Sequence, residues 1–253
     1  MPFIYEPKGA AGEYARYACT VYKGCEHRCR YCFAPDVMRQ TRDAFHGTVY
    51  PRSGVVEGVA REAPRLKAKL KPGERVFLSF ISDPYPGIEA VSCTTRRVLI
   101  VLKDAGIPVA ILSKAGIRST ADFDLLKQMD AEYGQSLVWA SDAMRQHWEP
   151  MAASVESRIE AFKMAKAAGL RTMVSVEPVI DPDQALGAMT LMLPYVDVFK
   201  VGKIQHVERI AGMETAPVVD WKAFAEEAVS LLTRAGKQFL LKRGLKELVA
   251  EGV

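Results

Sequence analysis

No stretch of the sequence approaches the roughly 20 consecutive apolar residues that span a bilayer. The opening residues, Met1-Pro-Phe-Ile-Tyr-Glu-Pro-Lys8, also lack the basic-then-apolar order of a secretion signal. Both absences lead to the expectation of a cytoplasmic protein with no membrane partner. Charge of one sign is scarce too: 34 Lys and Arg against 30 Asp and Glu leave a net charge of +4, which does not by itself demand nucleic acid. Local basic groups occur at Lys67, Lys69 and Lys71, at Arg96 and Arg97, and at Lys242, Arg243 and Lys246; the first alternates with Ala and Leu like a solvated helix face. There is no internal repeat or low-complexity segment. Cysteines number only five, and an odd count without a secretion signal argues against a disulfide framework.

Three of those five cysteines stand together in Gly24-Cys-Glu-His-Arg-Cys-Arg-Tyr-Cys-Phe33, spaced C-x3-C-x2-C directly after an apolar strand. Three thiolates on one loop, Cys25, Cys29 and Cys32, can hold three irons of a cubane [4Fe–4S] cluster and leave the fourth iron open. An open iron can bind a small molecule through an amine and a carboxylate. Structural zinc instead wants four ligands in a closed tetrahedron. No second cysteine pair exists; His27 lies inside the loop and His46 is the nearest histidine outside it, so a Cys3His zinc site is irregular. The spacing favours the cluster, and a reducing compartment suits it. Cys19 and Cys93 are too few for a second four-cysteine cluster.

Apolar β-rich runs alternate with amphipathic segments, the pattern of βα units and a parallel sheet. Strands are expected at Tyr17–Tyr22, Val76–Ile81, Pro108–Leu112, Ser136–Ala140, Arg171–Val176 and Val196–Val201, with a further one at Lys237–Leu241. Helices are expected over Thr94–Asp104, ended by Gly106, after a cap at Ser154, and over Lys222–Ala235. Pro64 predicts a kinked or split helix between Arg52 and Leu70. The fold expected is α/β, a partial (β/α)6 TIM-like barrel with outer helices. Residues 1–16 read as an N-terminal arm and 17–253 as one domain, with a core over about 17–205 and an extension over 206–253. In such a fold function gathers at the C-terminal ends of the strands. That rule brings together the cysteine loop, Ser82-Asp83, Ser113-Lys114, Ser141-Asp142, Glu177-Pro178 and Lys203.

The cysteine loop, with aromatic Tyr31 before its last cysteine, resembles the signature of the radical S-adenosylmethionine (SAM) superfamily. Phe80-Ile-Ser-Asp-Pro-Tyr-Pro-Gly-Ile-Glu89 with Thr95-Arg96 resembles a segment of its spore photoproduct lyase-like subgroup, and Leu112–Gly116, Asp122–Leu126, Trp148-Glu-Pro150 with Arg158, Ala168-Gly169 and Val176–Val179 follow in order. The resemblance implies a [4Fe–4S] cluster on Cys25, Cys29 and Cys32, with SAM on the open iron. One-electron reduction then yields methionine and a 5′-deoxyadenosyl radical, which takes a hydrogen atom from substrate.

The same resemblance implies that Tyr31 packs near adenine, that Ser82 and Asp83 accept from the SAM amino group, and that Lys114 holds its carboxylate, with Ser113 a further SAM-binding candidate. Ser141 and Glu177 would bond the ribose. Plainer readings stand beside these: Ser82 and Asp83 as a turn before Pro84, Lys114 as an exposed lysine, Ser141 and Glu177 as loop caps. His27 is expected to face solvent or bond within its own loop, and Trp139 and Trp148 to be core. Cys93 is offered as a thiol hydrogen donor, although Phe33 stands where the lyases carry a tyrosine, and the inert alternative is a small buried residue at a helix start. An electron donor such as flavodoxin or ferredoxin is implied. The substrate stays open between nucleic acid and a small molecule or peptide, and a non-catalytic metal-binding module is the third reading.

Overall fold

The computed structural model describes residues 2–205 and 218–250. Its strands in chain order are β1 (Ile4–Tyr5), β2 (Tyr17–Cys19), β3 (Tyr22–Lys23), β4 (Tyr50–Pro51), β5 (Val76–Leu78), β6 (Val109–Ser113), β7 (Ala131–Ser136), β8 (Arg171–Val179), β9 (Val198–Lys203) and β10 (Gln238–Leu241). Eight of them form one sheet in the order β1-β2-β5-β6-β7-β8-β9-β10, and β3 pairs only with β4. Every neighbour in the large sheet is parallel except β1, which runs antiparallel to β2. The expected parallel α/β architecture is present, with β10 added beyond the six-strand core. Of the expected extension, residues 206–217 and 251–253 lie outside the described residues.

Alternation along the strands sends side chains to two separate cores. Val76, Leu78, Val109, Ile111, Tyr133, Val174, Val176, Phe199 and Val201 join the large cluster beneath the helices, while Ala18, Phe77, Ala110, Met173 and Val198 form a second cluster on the other face with Tyr14, Phe80 and Leu112. The second face is the inside of the curled sheet. Among the described residues β1 and β10 do not pair, so the barrel stays open there. The N-terminal arm bridges that gap: Ala10 O accepts from Lys242 Nζ (2.7 Å) and the Glu13 carboxylate from Arg243 N (2.9 Å), both just after β10.

One expected strand is misplaced. Of the expected Ser136–Ala140 only Ser136 is in the strand, which is Ala131–Ser136; Leu137–Trp139 form a buried loop. That segment reads as polar, yet its polar groups are spent inside the protein. Glu132 meets Arg171 (3.1 Å), Gln135 donates to Ser119 Oγ (2.7 Å), and Gly134 is packed so closely that a Cβ would lie 2.7 Å from Met173 O. The helices fall closer to expectation. Thr94–Asp104 has the predicted bounds, Ser154 caps Val155–Ala167 by accepting from Ser157 N (3.1 Å), and Asp220 caps Trp221–Arg234. The Pro64 helix is not split: Val55–Lys67 is a single element, and Pro64 falls in its last turn, so little helix follows the one i→i−4 bond it cannot donate.

Candidate functional site

The cysteine loop is held from behind by a six-residue helix, Arg42–Gly47, capped by the Thr41 hydroxyl. Arg42 donates to three carbonyls of the loop, those of Cys29, Arg30 (2.8 Å) and Cys32 (3.1 Å). His46 Nδ1 donates to Cys25 O (2.7 Å), and Cys25 N donates to Phe45 O (3.3 Å). Gly24 lets the chain approach this helix: its φ is +76°, and a Cβ there would lie 2.2 Å from Thr48 O. None of these helix residues is marked in the sequence by motif; only the three-carbonyl grip identifies Arg42 as a loop anchor.

The loop presents three free thiols, Cys29 buried and Cys25 and Cys32 half-buried. Burial pushes the Cys29 thiol up to about 12 and Cys25 well above its usual value, and negative neighbours, including the other loop cysteines, add to the shift. Thiols so placed ionise when a positively charged centre takes the thiolates, so this donor set fits an iron–sulfur cluster. Among the described residues no group of three or more His, Cys, Asp or Glu side chains is arranged to hold one metal. Each histidine considered for zinc spends one ring nitrogen elsewhere, His46 Nδ1 on Cys25 O and His27 Nε2 on Asp83, and among the described residues its other ring nitrogen is buried without a partner.

His27 corrects its expectation: it is buried, and its Nε2 lies 2.8 Å from Asp83 Oδ2 on the loop after β5. Asp83 is saturated. It also accepts from Ser113 Oγ (2.9 Å), Lys114 N (2.7 Å) and Tyr85 N (2.8 Å). Burial alone would raise the Asp83 carboxyl, but the His27 ring and these donors outweigh it and hold it at about 2. Asp83 and Ser113 therefore tie the cysteine loop to the ends of β5 and β6, and an amine reaching Asp83 would have to displace one of these donors. Ser82 is buried beside them, 3.4 Å from Ser79 Oγ.

A second network lies under the last two cysteines. The Tyr31 hydroxyl donates to Glu149, which is fully buried and paired with Arg158 at 2.5 Å. Arg158 also donates to Ser136 O (2.7 Å) and Ala153 O (3.0 Å). Lys114 Nζ stands 5.7 Å from the Tyr31 ring centre. Burial would lower this ammonium, but Cys29 and Glu149 together override it and leave it above the usual value, so Lys114 is a fixed cation beside the loop. Trp139 and Trp148 stack in the core, 5.8 Å apart and nearly parallel.

The Glu89 and Thr95-Arg96 positions are structural. Buried Glu89 accepts from Tyr22 Oη, Thr95 N (2.9 Å) and Arg96 N (3.1 Å), and Arg96 pairs with Asp122 (2.9 Å) and Asp124 (2.6 Å). Cys93 lies between two helices in a left-handed conformation, φ +48°, and is exposed rather than buried.

Across the barrel, Glu177 accepts from Tyr14 Oη (2.8 Å) and pairs with Lys242 (3.2 Å). The Tyr14 ring lies between the ammonium groups of Lys200 (4.9 Å) and Lys242 (4.7 Å), and its hydroxyl is 2.6 Å from Ser175 Oγ. Tyr14, Lys200 and Lys242 were not singled out as site residues by the sequence. Ser141 is half-buried; its N–H donates to Gln184 Oε1 (2.9 Å), and among the described residues its hydroxyl has no partner. Lys203 Nζ sits 5.8 Å from the Trp221 ring centre.

Comparison with known proteins adds five findings. The sequence profile of the Radical SAM superfamily matches residues 19–187. An uncharacterised protein of Methanocaldococcus jannaschii is 27% identical over 170 residues, 67% of this chain and 62% of that one. An uncharacterised protein of Mycobacterium tuberculosis is 29% identical over 173 residues, 65% of this chain and 50% of that one. The chain thus spans about half to three-fifths of the length of these curated relatives. Among solved structures, a spore photoproduct lyase variant with bound AdoMet and dinucleoside spore photoproduct superposes with a TM-score of 0.67 at 13% identity, over 92% of this chain and 78% of that one. SuiB of Streptococcus suis bound to S-adenosylmethionine does so with a TM-score of 0.63 at 13% identity, over 89% and 50%. At these identities the likeness is one of fold.

Proposed function

The chain belongs to the radical SAM superfamily, whose members use a [4Fe–4S] cluster and SAM, and from that premise we propose that it cleaves SAM reductively to start hydrogen-atom chemistry on a substrate. The observation that carries this reading is the three free thiols on one loop clamped by Arg42 and His46. Cys25, Cys29 and Cys32 would hold the cluster. When bound, the cluster and SAM supply a 5′-deoxyadenosyl radical by one-electron cleavage of the sulfonium.

The chain's own residues hold and orient. Arg42 and His46 fix the loop carbonyls, and the Asp83 hub fixes the loop to the strand ends. Lys114 offers a half-buried positive charge for the SAM carboxylate, and Tyr31 a half-buried ring for adenine. Ser82 is the candidate near the amino group, and Ser141, with its free hydroxyl, and Glu177 are the candidates for the ribose. Tyr14, Phe77 and Phe80 pack edge-to-face or stacked inside the barrel, a dry wall that suits radical chemistry. Residues 17–253 are taken as one domain.

For the substrate we favour nucleic acid acted on by a lyase or repair-like reaction. The larger share of chain matched in the spore photoproduct lyase, 78% against 50% for SuiB, supports that reading. The precursor peptide bound in a second SuiB structure keeps peptide modification as the alternative. Cys93, with its exposed thiol, is the candidate hydrogen donor.

Anaerobic protein reconstituted with iron and sulfide, given dithionite and SAM, should release 5′-deoxyadenosine. Cys25→Ala, Cys29→Ala or Cys32→Ala should abolish release, and Lys114→Ala should weaken SAM binding while iron is retained. No 5′-deoxyadenosine, even with oligonucleotide and peptide candidates present, contradicts the reading. Deuterium transfer from a labelled substrate into 5′-deoxyadenosine separates nucleic acid from peptide.

A further inference from the structure

Tyr14 enters the function proposed above only as part of the dry barrel wall, yet its contacts single it out. Its ring meets Phe77 and Phe80 edge-on, with centroids 5.5 and 5.9 Å away, and lies between the Lys200 and Lys242 ammonium groups. Those four contacts fix the ring, and the ring fixes where its hydroxyl points. The hydroxyl proton goes to Glu177 Oε2 (2.8 Å), so Ser175 Oγ donates in turn to the phenolic oxygen (2.6 Å). A chain of two hydrogen bonds thus runs from Ser175 on β8 through Tyr14 to a carboxylate two residues further along the same strand. Loss of solvent around the hydroxyl and the adjacent carboxylate push the phenol well above its ordinary value, so it remains an O–H donor.

Glu177 is enclosed from two more sides. Its Oε1 lies 3.2 Å from Lys242 Nζ, an ammonium that the arm also holds through Ala10 O (2.7 Å). Gly202 on the neighbouring strand β9 leaves the carboxylate its room: a Cβ there would lie 2.9 Å from Glu177 Cδ and Oε1. Among the described residues each carboxylate oxygen has one partner, which leaves an acceptor position on each. Two parallel acceptors on one planar group match two adjacent hydroxyls of a ribose. The side chain is 21% exposed, so the carboxylate is not sealed off.

We infer that the N-terminal arm is part of the SAM site: Tyr14 is a positioning residue that aims Glu177 at the ribose hydroxyls, an inference resting on the reading of Glu177 as a ribose contact. Lys242 alone does not aim it. An ammonium is a compact charge with three rotatable donors and attracts either oxygen. Without the Tyr14 hydroxyl the carboxylate is free to turn both oxygens onto Lys242, and the acceptor positions for the ribose are lost. The effect therefore falls on cofactor affinity, and on the ribose end in particular. Glu13 contributes from outside, because its carboxylate accepts from Arg243 N (2.9 Å) and pins the arm next to Tyr14.

The test measures binding of SAM, and of a SAM analogue lacking both ribose hydroxyls, to anaerobic cluster-loaded protein by equilibrium dialysis. Tyr14→Phe should bind SAM about tenfold more weakly than the unmodified protein, the scale of one hydrogen bond to a charged group, while the analogue binds both proteins equally. Glu13→Ala should shift SAM affinity in the same direction by a smaller factor. Iron content and the reduced cluster signal recorded without SAM should be the same in all three proteins, which shows that they fold. Unchanged SAM affinity in Tyr14→Phe overturns the inference, and so does an equal loss for SAM and the analogue, which would mark a general disturbance of the barrel. Glu177→Ala separates the two levels. If it weakens binding of SAM and not of the analogue while Tyr14→Phe binds both normally, only the role of the arm is overturned. If the unmodified protein binds SAM and the analogue alike, the ribose role of Glu177 fails with it.

Discussion

At the C-terminal ends of the strands, the side near β5 and β6 and the side near β8 and β10 spend their polar groups in different ways. Near the cysteine loop almost every polar side chain is bonded to the loop itself or to the strand ends beneath it: Asp83 to four donors, Glu149 to Tyr31 and Arg158, Arg42 to three carbonyls. Left unbonded there, among the described residues, are the thiols, the Lys114 ammonium and one ring nitrogen each of His27 and His46. On the far side Glu177 is held by residues from distant parts of the chain, Tyr14 of the arm and Lys242 after β10, and the Ser141 hydroxyl has no partner among the described residues. The first side is a rigid cradle in which function rests on what the polar network leaves unbonded. The second is closed by the N-terminal arm.

The largest effect that would break this contrast is expected at the buried Glu149–Arg158 pair, since removing one partner strands the other charge. Arg158→Met or Glu149→Gln should cost about 3–5 kcal/mol, read as a drop in the denaturation midpoint, and should loosen iron retention through Tyr31. A loss below about 1 kcal/mol would show that the cradle is not built on this pair.

Asp83 comes next. Its folded value of about 2 lies below the ordinary value of 3.8, so its contribution is fully present above about pH 4 and is lost as pH falls toward 2. The lowering corresponds to about 2 kcal/mol, and the fall in stability over that window should be missing from Asp83→Asn. Equal acid profiles for the two proteins would remove Asp83 from the cradle. The smallest effect should be at Tyr14→Phe, about 1 kcal/mol from its lost hydroxyl bonds, with the cysteine loop unaffected. If that variant also lost iron, the two sides would not be separable.

The sequence made the framework legible where chemistry is local. The C-x3-C-x2-C spacing, the apolar strands β5, β6, β8 and β9, and the caps at Ser154 and Gly106 depend on residues within a few positions of each other. It concealed whatever depends on distant partners. Strand β7 was expected at Ser136–Ala140, too late in the chain, because Glu132, Gln135 and Gly134 acquire their burial from Arg171, Ser119 and Met173. His27 looked solvent-facing because its partner Asp83 is 56 positions away. Arg42 and Tyr14 belong to no motif, and their roles emerge only when the loop carbonyls and the inner face of the barrel are in place. Glu89 and Arg96 were visible as motif residues, but their bonds assign them to holding the β5 loop.

The most direct test of the central claim is electron paramagnetic resonance of anaerobic, reconstituted and dithionite-reduced protein, recorded with and without SAM. A ligand set of three cysteines that leaves one iron open predicts a reduced [4Fe–4S] signal that changes when SAM is added, and no such signal in Cys29→Ala. Zinc bound without iron, or a cluster signal indifferent to SAM, would contradict the account.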